Sequence, residues 1–412
     1  MGLMPGGGHH HHHSGRINDD PSSESHRHPS LTSQLSLPTV PSLTNPQPPH
    51  YSSYTLITTL KGHTSYLCSL TVSGEILYSG SSDQEIRSWP RHHHCSDQVL
   101  ERDDNVVAEG KGAVKSMAIA DDKLFSAHQD HKIRVWKISS DHQNHKFQRI
   151  ATLPTLTDRA AKILSPGNQV QIRRHRSSTW VHHVDAVAAL ALSHDEQFLY
   201  SVSWDRTLKV WRAAGDFRCL ESLASAHDDA INAVAVSSRD GGTVYTGSAD
   251  TRIKVWRRDE SGSGRKHLLV LAETLEKHNS GVNALALSED GSVLYSGACD
   301  RSILVWERNG DGEMVVVGAL RGHAESILCL FVVCDLVCSG SADRTVRVWR
   351  AAGGGGVDRK YACLAVLEGH AEPVKCLTAA VDCSDDEYMS CSVYSGGLDC
   401  DIKVWQISVP VL

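Results

Sequence analysis

The sequence predicts an all-β protein, a seven-bladed β-propeller in which a strand from the N-terminal side completes the last blade. Three observations predict it. Seven times a tryptophan ends a short stretch with an aspartate six residues before it: Asp83/Trp89, Asp130/Trp136, Asp205/Trp211, Asp250/Trp256, Asp300/Trp306, Asp343/Trp349 and Asp399/Trp405. Four residues before each aspartate stands a hydroxyl: Ser79, Ser126, Ser201, Thr246, Ser296, Ser339 and Ser395. A histidine lies about 20 to 30 residues upstream of six of the aspartates: His63, His183, His227, His278, His323 and His370. A unit repeated at this period belongs to stacked or ring architectures, whose copies bury their apolar faces against one another.

The sixth repeat shows the elements in order. His323 opens it, and residues 326–333 alternate small and apolar side chains as a first strand. A second strand runs from Asp335 to near Gly340, Asp343 occupies the turn, and residues 345–349 alternate with period two as a third. A Gly-rich loop follows, and then a fourth strand, 361–367, leads into Gly369-His370 of the next repeat. Four antiparallel strands in a unit of roughly 45 residues describe a propeller blade. After Trp405 only seven residues remain, too few for a loop and an outer strand. Residues 54–60 precede Gly62-His63 as 361–367 precede Gly369-His370, so they are expected to supply the missing strand. Closure removes the open strand edges that invite aggregation.

Two regions follow: an arm, 1–50, and the propeller, 51–412, with an insertion at about 154–182 between blades 2 and 3. The arm is rich in Gly, His, Ser and Pro and is expected to be disordered, because it carries too few apolar residues to offset the entropy of ordering. Its run His9 to His13 could bind metal adventitiously, and it reads equally well as low complexity or as a tag, so it is left out of the fold argument.

Composition bounds the function. The net charge of −7 over 412 residues argues against a general nucleic-acid-binding surface while leaving room for a local basic patch. No apolar run approaches membrane-spanning length, and neither a signal peptide nor a myristoylation signal is expected. Twelve cysteines without a sequon or an export signal read as reduced thiols of an intracellular protein, in the cytoplasm, the nucleus or both. Cys329 and Cys376 occupy a slot that holds Ser69, Ala189, Ala233 and Ala284 elsewhere, so the position wants a small buried residue.

Gly-His, then Ser-Gly-Ser-x-Asp, then a strand ending in Val-Trp resembles the WD-repeat family over residues 54–412. One departure is uniform. The aspartate that usually follows the repeat tryptophan is replaced by Pro90, Lys137, Arg212, Arg257, Glu307, Arg350 and Gln406. The Trp-Asp-x-Arg box that docks ubiquitin-ligase adaptors in relatives is therefore missing, which weakens a substrate-receptor role. The long second repeat, with Phe125-Ser-Ala-His-Gln-Asp-His-Lys-Ile-Arg-Val-Trp136, is similar to the plant Jingubang-type WD-repeat proteins, a group that includes a regulator of pollen germination. That resemblance implies a plant source and a regulatory role.

Serine, histidine and aspartate together suggest a nucleophilic triad. Their repetition around a ring argues against one, since catalysis needs a single constellation beside a single pocket. The family resemblance implies a structural chain instead: tryptophan donates to the hydroxyl, the hydroxyl bonds histidine, and histidine bonds aspartate. Each buried polar group then has a partner, avoiding about 1–3 kcal/mol per orphan. Blade 2 lacks its histidine, and by spacing Gly110 holds that slot.

No catalytic residue, cofactor or metal is expected. Arg91-His-His-His-Cys95 offers possible ligands, but contiguous ligands on a loop rarely converge, and it reads as a solvated loop. Gly353 to Gly356 lacks a following Gly-Lys-Ser/Thr and reads as a flexible loop, as does Ser261-Gly-Ser-Gly264.

A partner site is read from asymmetry. Trp136 and Trp211 lie 75 residues apart, against 43 to 56 elsewhere. The insertion holds Arg159, Lys162, Arg173, Arg174, Arg176 and Trp180 against one acid, Asp158, and family geometry implies that it emerges on the top face beside the repeat aspartates. Before Asp205 stands Trp204, where other blades carry Ser82, Gln129, Ala249, Cys299, Ala342 and Leu398, and Arg206 follows. Tryptophan and arginine are enriched in binding hot spots. The expected partner patch is Arg173, Arg174, Arg176, Trp180, Trp204 and Arg206; alternatively the two tryptophans pack the insertion onto the ring and the arginines are solvated. The function read from all this is a monomeric, non-enzymatic scaffold that docks protein partners. A reader of nucleic acid or anionic headgroups, sensitive to salt, and a propeller enzyme are the alternatives.

Overall fold

The alternation of small and apolar residues becomes strand wherever it occurs. The structure, a computed structural model, describes residues 40–45, 53–91, 105–138, 146–163, 169–173, 176–179, 181–239, 242–258, 268–352, 360–384 and 387–411. Blade 1 consists of Leu67–Ser73, Ile76–Ser81, Glu85–Pro90 and Val106–Glu109, from the channel outward. Blade 2 consists of Val114–Ala120, Lys123–His128, Ile133–Lys137 and Gln148–Leu153, and blade 3 of Val187–Leu192, Phe198–Ser203, Leu208–Arg212 and Cys219–Leu223. Blades 4, 5 and 6 repeat the order and end in the outer strands Leu269–Glu276, Met314–Leu320 and Lys360–Leu367. In blade 7, Val374–Ser384, Tyr388–Gly397 and Ile402–Pro410 are completed by Ser53–Leu60, which pairs antiparallel with Ile402–Pro410 from Ser53 opposite Ser408 to Leu60 opposite Ile402. The expected closure is observed.

The core lies between blades, and its seams show why the ring shuts. Gly340 of blade 6 lies against Val374 of blade 7, where an added Cβ would stand 2.8 Å from a valine methyl. Gly396 of blade 7 meets Leu67 of blade 1 in the same way, at 2.9 Å. The closing seam therefore uses the same contact as an interior one. Cys329 and Cys376 are both buried and pack their sulfurs 2.6 Å from the Cβ that Gly340 and Gly396 would carry, as the small-residue slot requires. Burial pushes the Cys329 thiol up to about 12, which leaves it protonated and unreactive.

Two expectations need correction. Residues 40–45, placed in the arm by their polar composition, are part of the propeller flank: Thr44–Asn45 forms a fifth strand on blade 6, parallel to Tyr361–Ala362, and Val40 and Leu43 are buried. Two apolar side chains in a favourable groove outweigh the composition of the segment around them. The expectation of disorder for 1–39 and 46–50 falls outside the described residues.

The insertion leaves blade 2 after Leu153, which pairs with Ile133 beside the Asp130 turn, and rejoins blade 3 at His183 beside Asp205. Its helix, Leu156–Ile163, is fastened by Asp158, which is buried and accepts the Cys219 N–H at 3.1 Å. Cys219 pairs with Trp211, while Leu223 pairs with Leu208 beside the Asp205 turn. The anchor thus lies at the end of blade 3 away from the aspartates. A register shift at Trp211 leaves an N–H that the buried carboxylate takes up.

The second correction concerns Arg91, read as part of a solvated loop. Its side chain is half-buried and donates to Gly74 O at 2.9 Å and to Asp382 at 3.0 Å, tying blade 1 to blade 7. Residues 92–95, 261–264 and 353–356 lie outside the described residues.

Candidate functional site

Six blades carry the expected chain of hydrogen bonds. In blade 1, Trp89 Nε1 donates to Ser79 Oγ at 2.8 Å, Ser79 Oγ lies 2.8 Å from His63 Nε2, and His63 Nδ1 lies 2.8 Å from Asp83. The other five are superimposable in chemistry: Trp211–Ser201–His183–Asp205, Trp256–Thr246–His227–Asp250, Trp306–Ser296–His278–Asp300, Trp349–Ser339–His323–Asp343 and Trp405–Ser395–His370–Asp399. In each of the six, the aspartate also accepts the backbone N–H of the residue after the histidine, for example Thr64 at 3.0 Å and Ala371 at 3.0 Å. Burial alone would raise the Asp83 carboxyl, but the hydrogen bond and charge of His63 outweigh it and hold the group below the usual range. The residue after each repeat aspartate has φ between 66° and 78° in all seven turns. Strain repeated sevenfold is part of the scaffold and does not mark a site. His63, Asp83 and Glu85 lie close enough together to bind a metal, but His63 is engaged by Ser79 and Asp83, and Glu85 by Arg87. These atoms already have partners.

Blade 2 solves its missing histidine in a way that sequence reasoning missed. His128 stands two residues after Ser126, so both side chains leave the strand on one face. Its Nε2 lies 2.8 Å from Ser126 Oγ, which also accepts from Trp136 Nε1 at 2.7 Å, and its Nδ1 lies 3.2 Å from Gly112 O. The ring fills the space above Gly110, where an added Cβ would stand 2.4 Å from His128 Cε1. Asp130, released from its usual partner, binds Arg134 at 3.0 Å. The signal was present in the sequence: Ser81, Ser203, Ser248, Ala298, Ser341 and Gly397 occupy the position of His128 in other blades.

The asymmetric surface is on the rim formed by blades 1, 2 and 3. In every blade the residue before the repeat aspartate bonds through its N–H to the residue three after the histidine slot, as Ser82 to Tyr66 and Trp204 to Ala186. These rim pairs are built of small residues except for Tyr66, Trp204, Gln129, Pro373 and Leu398. Tyr66 is 37% exposed and Trp204 40%. Lys115 of blade 2 lies between them, its ammonium 5.8 Å from the Tyr66 ring centre and 5.5 Å from that of Trp204. An ammonium over two aromatic faces is held by their quadrupoles. Arg206 is exposed on the same turn as Trp204. Tyr66 and Lys115 were missed because each is ordinary alone; Tyr66 stands out only against Ala113, Ala186, Ala230, Gly281, Ser326 and Pro373.

Of the other expected patch residues, Arg173 ends the strand Gln169–Arg173 and Arg176 begins Arg176–Thr179, the two strands of a hairpin in the insertion. Arg174 and Trp180 lie outside the described residues. The Trp204 ring meets Lys115 of blade 2, and its N–H donates to Ala186 O of its own blade.

Comparison with known proteins agrees with this architecture. The WD domain, G-beta repeat, matches residues 54–90, 175–212, 217–257, 270–307, 314–350 and 361–406. The chain belongs to the WD-repeat family. Blade 2, with its displaced histidine, falls outside the matched segments. The small ribosomal subunit protein RACK1 of Drosophila melanogaster is 32% identical over 109 residues, 26% of this chain and 30% of that protein. The nuclear distribution protein nudF of Aspergillus niger is 24% identical over 55% of this chain and 56% of its own length. Autophagy-related protein 16 of Arabidopsis thaliana is 22% identical over 73% of this chain and 48% of its own. The chain thus spans between about a third and about half of these curated relatives. The crystal structure of the WD40 β-propeller domain of Doa1 shares the fold with a TM-score of 0.60 and 22% identity, covering 85% of this chain and 96% of that one. WD-repeat propellers generally act as non-enzymatic scaffolds. Among the described residues, no helix is long and apolar enough to cross a membrane.

Proposed function

We propose that this protein is a non-enzymatic interaction scaffold that docks a protein partner on the rim built by Tyr66, Lys115 and Trp204, with Arg206 at its edge. The observation that carries this reading is the aromatic–cation–aromatic row itself, which breaks the sevenfold repeat on the rim. Half-exposed aromatic rings beside fixed cations are what binding hot spots are made of, and the strands beneath hold them in place. Arg173, Arg174, Arg176 and Trp180 are proposed as the basic part of the same interaction surface. Their support is the concentration of charge around a single acid, Asp158, which is committed to Cys219.

The finer reading is a monomer acting in the cytoplasm or nucleus of a plant cell, in a regulatory pathway such as pollen germination or development. It is supported by the resemblance of the second repeat to the Jingubang-type proteins. The test is proximity labelling with the wild-type protein and with Tyr66→Ala/Trp204→Ala. The variant should lose one or more discrete proteins while keeping the wild-type unfolding midpoint. An unchanged set of labelled proteins would remove the rim as the docking surface.

A further inference from the structure

In all seven blades the innermost strand shifts register by one residue near the end that carries the repeat aspartates. The extra residue has no partner across the ladder, and a bulge of this kind re-aims its side chain. The bulged residues form one ring around the mouth of the channel. Two of them are lysines, Lys115 in blade 2 and Lys375 in blade 7, and between these blades stands Cys68 of blade 1. The other four are Ala188, Asn232, Asn283 and Leu328, so the ring carries two positive charges and no negative one.

The polar members of the ring differ in what engages them. The Asn232 carboxamide donates to Val282 O of the next blade at 3.0 Å, and Asn283 donates to Ile327 O at 2.9 Å. The lysines have no such acceptor. Among the described residues neither forms an ion pair; Lys115 is half-buried against the faces of Tyr66 and Trp204, and Lys375 is exposed. Burial raises the Cys68 thiol, while the charges of Lys115 and then Lys375 act in the opposite direction, which places both ammonium groups near it.

The turns around the mouth extend the asymmetry. The two residues after the histidine slot include an acid in blades 3, 4, 6 and 7, namely Asp185, Asp228, Asp229, Glu325 and Glu372. In blades 1 and 2 they are Thr64-Ser65 and Lys111-Gly112. Blade 5 is neutral there and adds no lysine to the ring. The acids disfavour an anion elsewhere on this face and leave the sector of blades 1 and 2 open to one. A nucleic acid would lay its phosphates across those acids as well, whereas a single acidic side chain would not. The ring has no arginine fork to match a phosphate, and lysine pairs with a carboxylate as a point charge.

We infer that the channel mouth takes one acidic side chain, Asp or Glu, of the docking protein, seated over Cys68 between the ammonium groups of Lys115 and Lys375, while neighbouring apolar residues of that protein rest on Tyr66 and Trp204. The inference rests on the rim as the docking surface and names the chemistry that the partner brings to it.

The test selects a phage-displayed library of random peptides on the full chain, as wild type, Lys375→Glu, Lys115→Glu/Lys375→Glu and Tyr66→Ala/Trp204→Ala. Peptides recovered on the wild type should be enriched in Asp or Glu at one position. Fluorescent synthetic copies should bind Lys375→Glu more weakly by about ten-fold or more in anisotropy titrations. The doubly reversed protein should select Lys or Arg at that position instead. Lys375 is exposed, so Lys375→Glu alone decides the matter if the double reversal lowers the urea midpoint. Selection of no acidic position, or an acidic position retained in full on Lys375→Glu, would overturn the inference. An acid preference lost on Lys375→Glu but kept on Tyr66→Ala/Trp204→Ala would support the lysine pair and count against the aromatic rim, so the two failures are told apart. A single-stranded oligothymidylate that binds the wild type more tightly than the selected peptides, and depends on Lys375 in the same way, would assign the mouth to nucleic acid and overturn the acidic side chain as its ligand.

Discussion

Gly110→His will destabilise the protein by about 3 kcal/mol or more, and adding His128→Ser will return most of that loss. The single substitution puts an imidazole where the His128 ring already lies, with the new Cβ alone 2.4 Å from His128 Cε1. His128→Ser by itself leaves Ser126 without its acceptor and opens a cavity in a buried site, at a cost of about 2 kcal/mol. Together they recreate the arrangement of the other six blades: histidine before the first strand, and a small residue such as Ser81 or Ser203 two after the hydroxyl. Urea unfolding of the four proteins closes a double-mutant cycle, whose coupling should reach about 3 kcal/mol in favour of the pair. Additive effects would show that His128 does not occupy the vacated position.

The same histidine should make the protein acid-sensitive above the carboxylate range. Burial, then the nearby Arg134 charge, lower the His128 imidazole to about 4, against the opposing pull of Gly112 O and Asp130. A folded value below the unfolded one means that the unfolded chain binds the proton first. Stability from this group is therefore complete above about pH 6.5 and is lost as pH falls toward 4. The loss amounts to about 3 kcal/mol over that window. His183 and His227 are also held below their usual value, by burial first, and add to the slope with the same sign. Below that window, protonation of the repeat aspartates removes a second contribution, since their folded values are also depressed. His128→Gln should remove only the first part, so its stability at pH 4 relative to pH 7 should be better preserved than the wild type's by about 3 kcal/mol. Parallel pH curves for the two proteins would contradict the assignment.

The contrast between these residues shows what could be read from one chain. Trp, Asp and Ser/Thr recur at fixed spacing because each blade must satisfy the same buried polar groups, so six relays and the closing strand were legible directly. His128 was not, because its role depends on the volume that Gly110 leaves empty on another strand, and only a comparison of both slots across blades exposes that exchange. Trp204 was legible as an outlier at a turn, but its neighbours were not. Lys115 and Tyr66 come from two other blades, brought together by the curvature of the ring. The insertion was legible only in part. Its basic composition drew attention to its arginines, whereas the residue that positions it is the single acid, Asp158, through a backbone N–H that no sequence displays. Residues 40–45 escaped notice because Val40 and Leu43 are few among polar neighbours, and the feature that accommodates them is the lack of a side chain at Gly318.

Everything positioned on the rim depends on a ring whose last sheet is finished by Ser53–Leu60. Amide hydrogen exchange on the native protein tests this most directly. The N–H groups of Ser53–Leu60 that face Ile402–Pro410 should be protected to the same degree as those of the outer strand Lys360–Leu367, and both should open together with denaturant. Exchange of Ser53–Leu60 at the rate of a free peptide, with Ile402–Pro410 left as an open edge, would contradict the closed propeller.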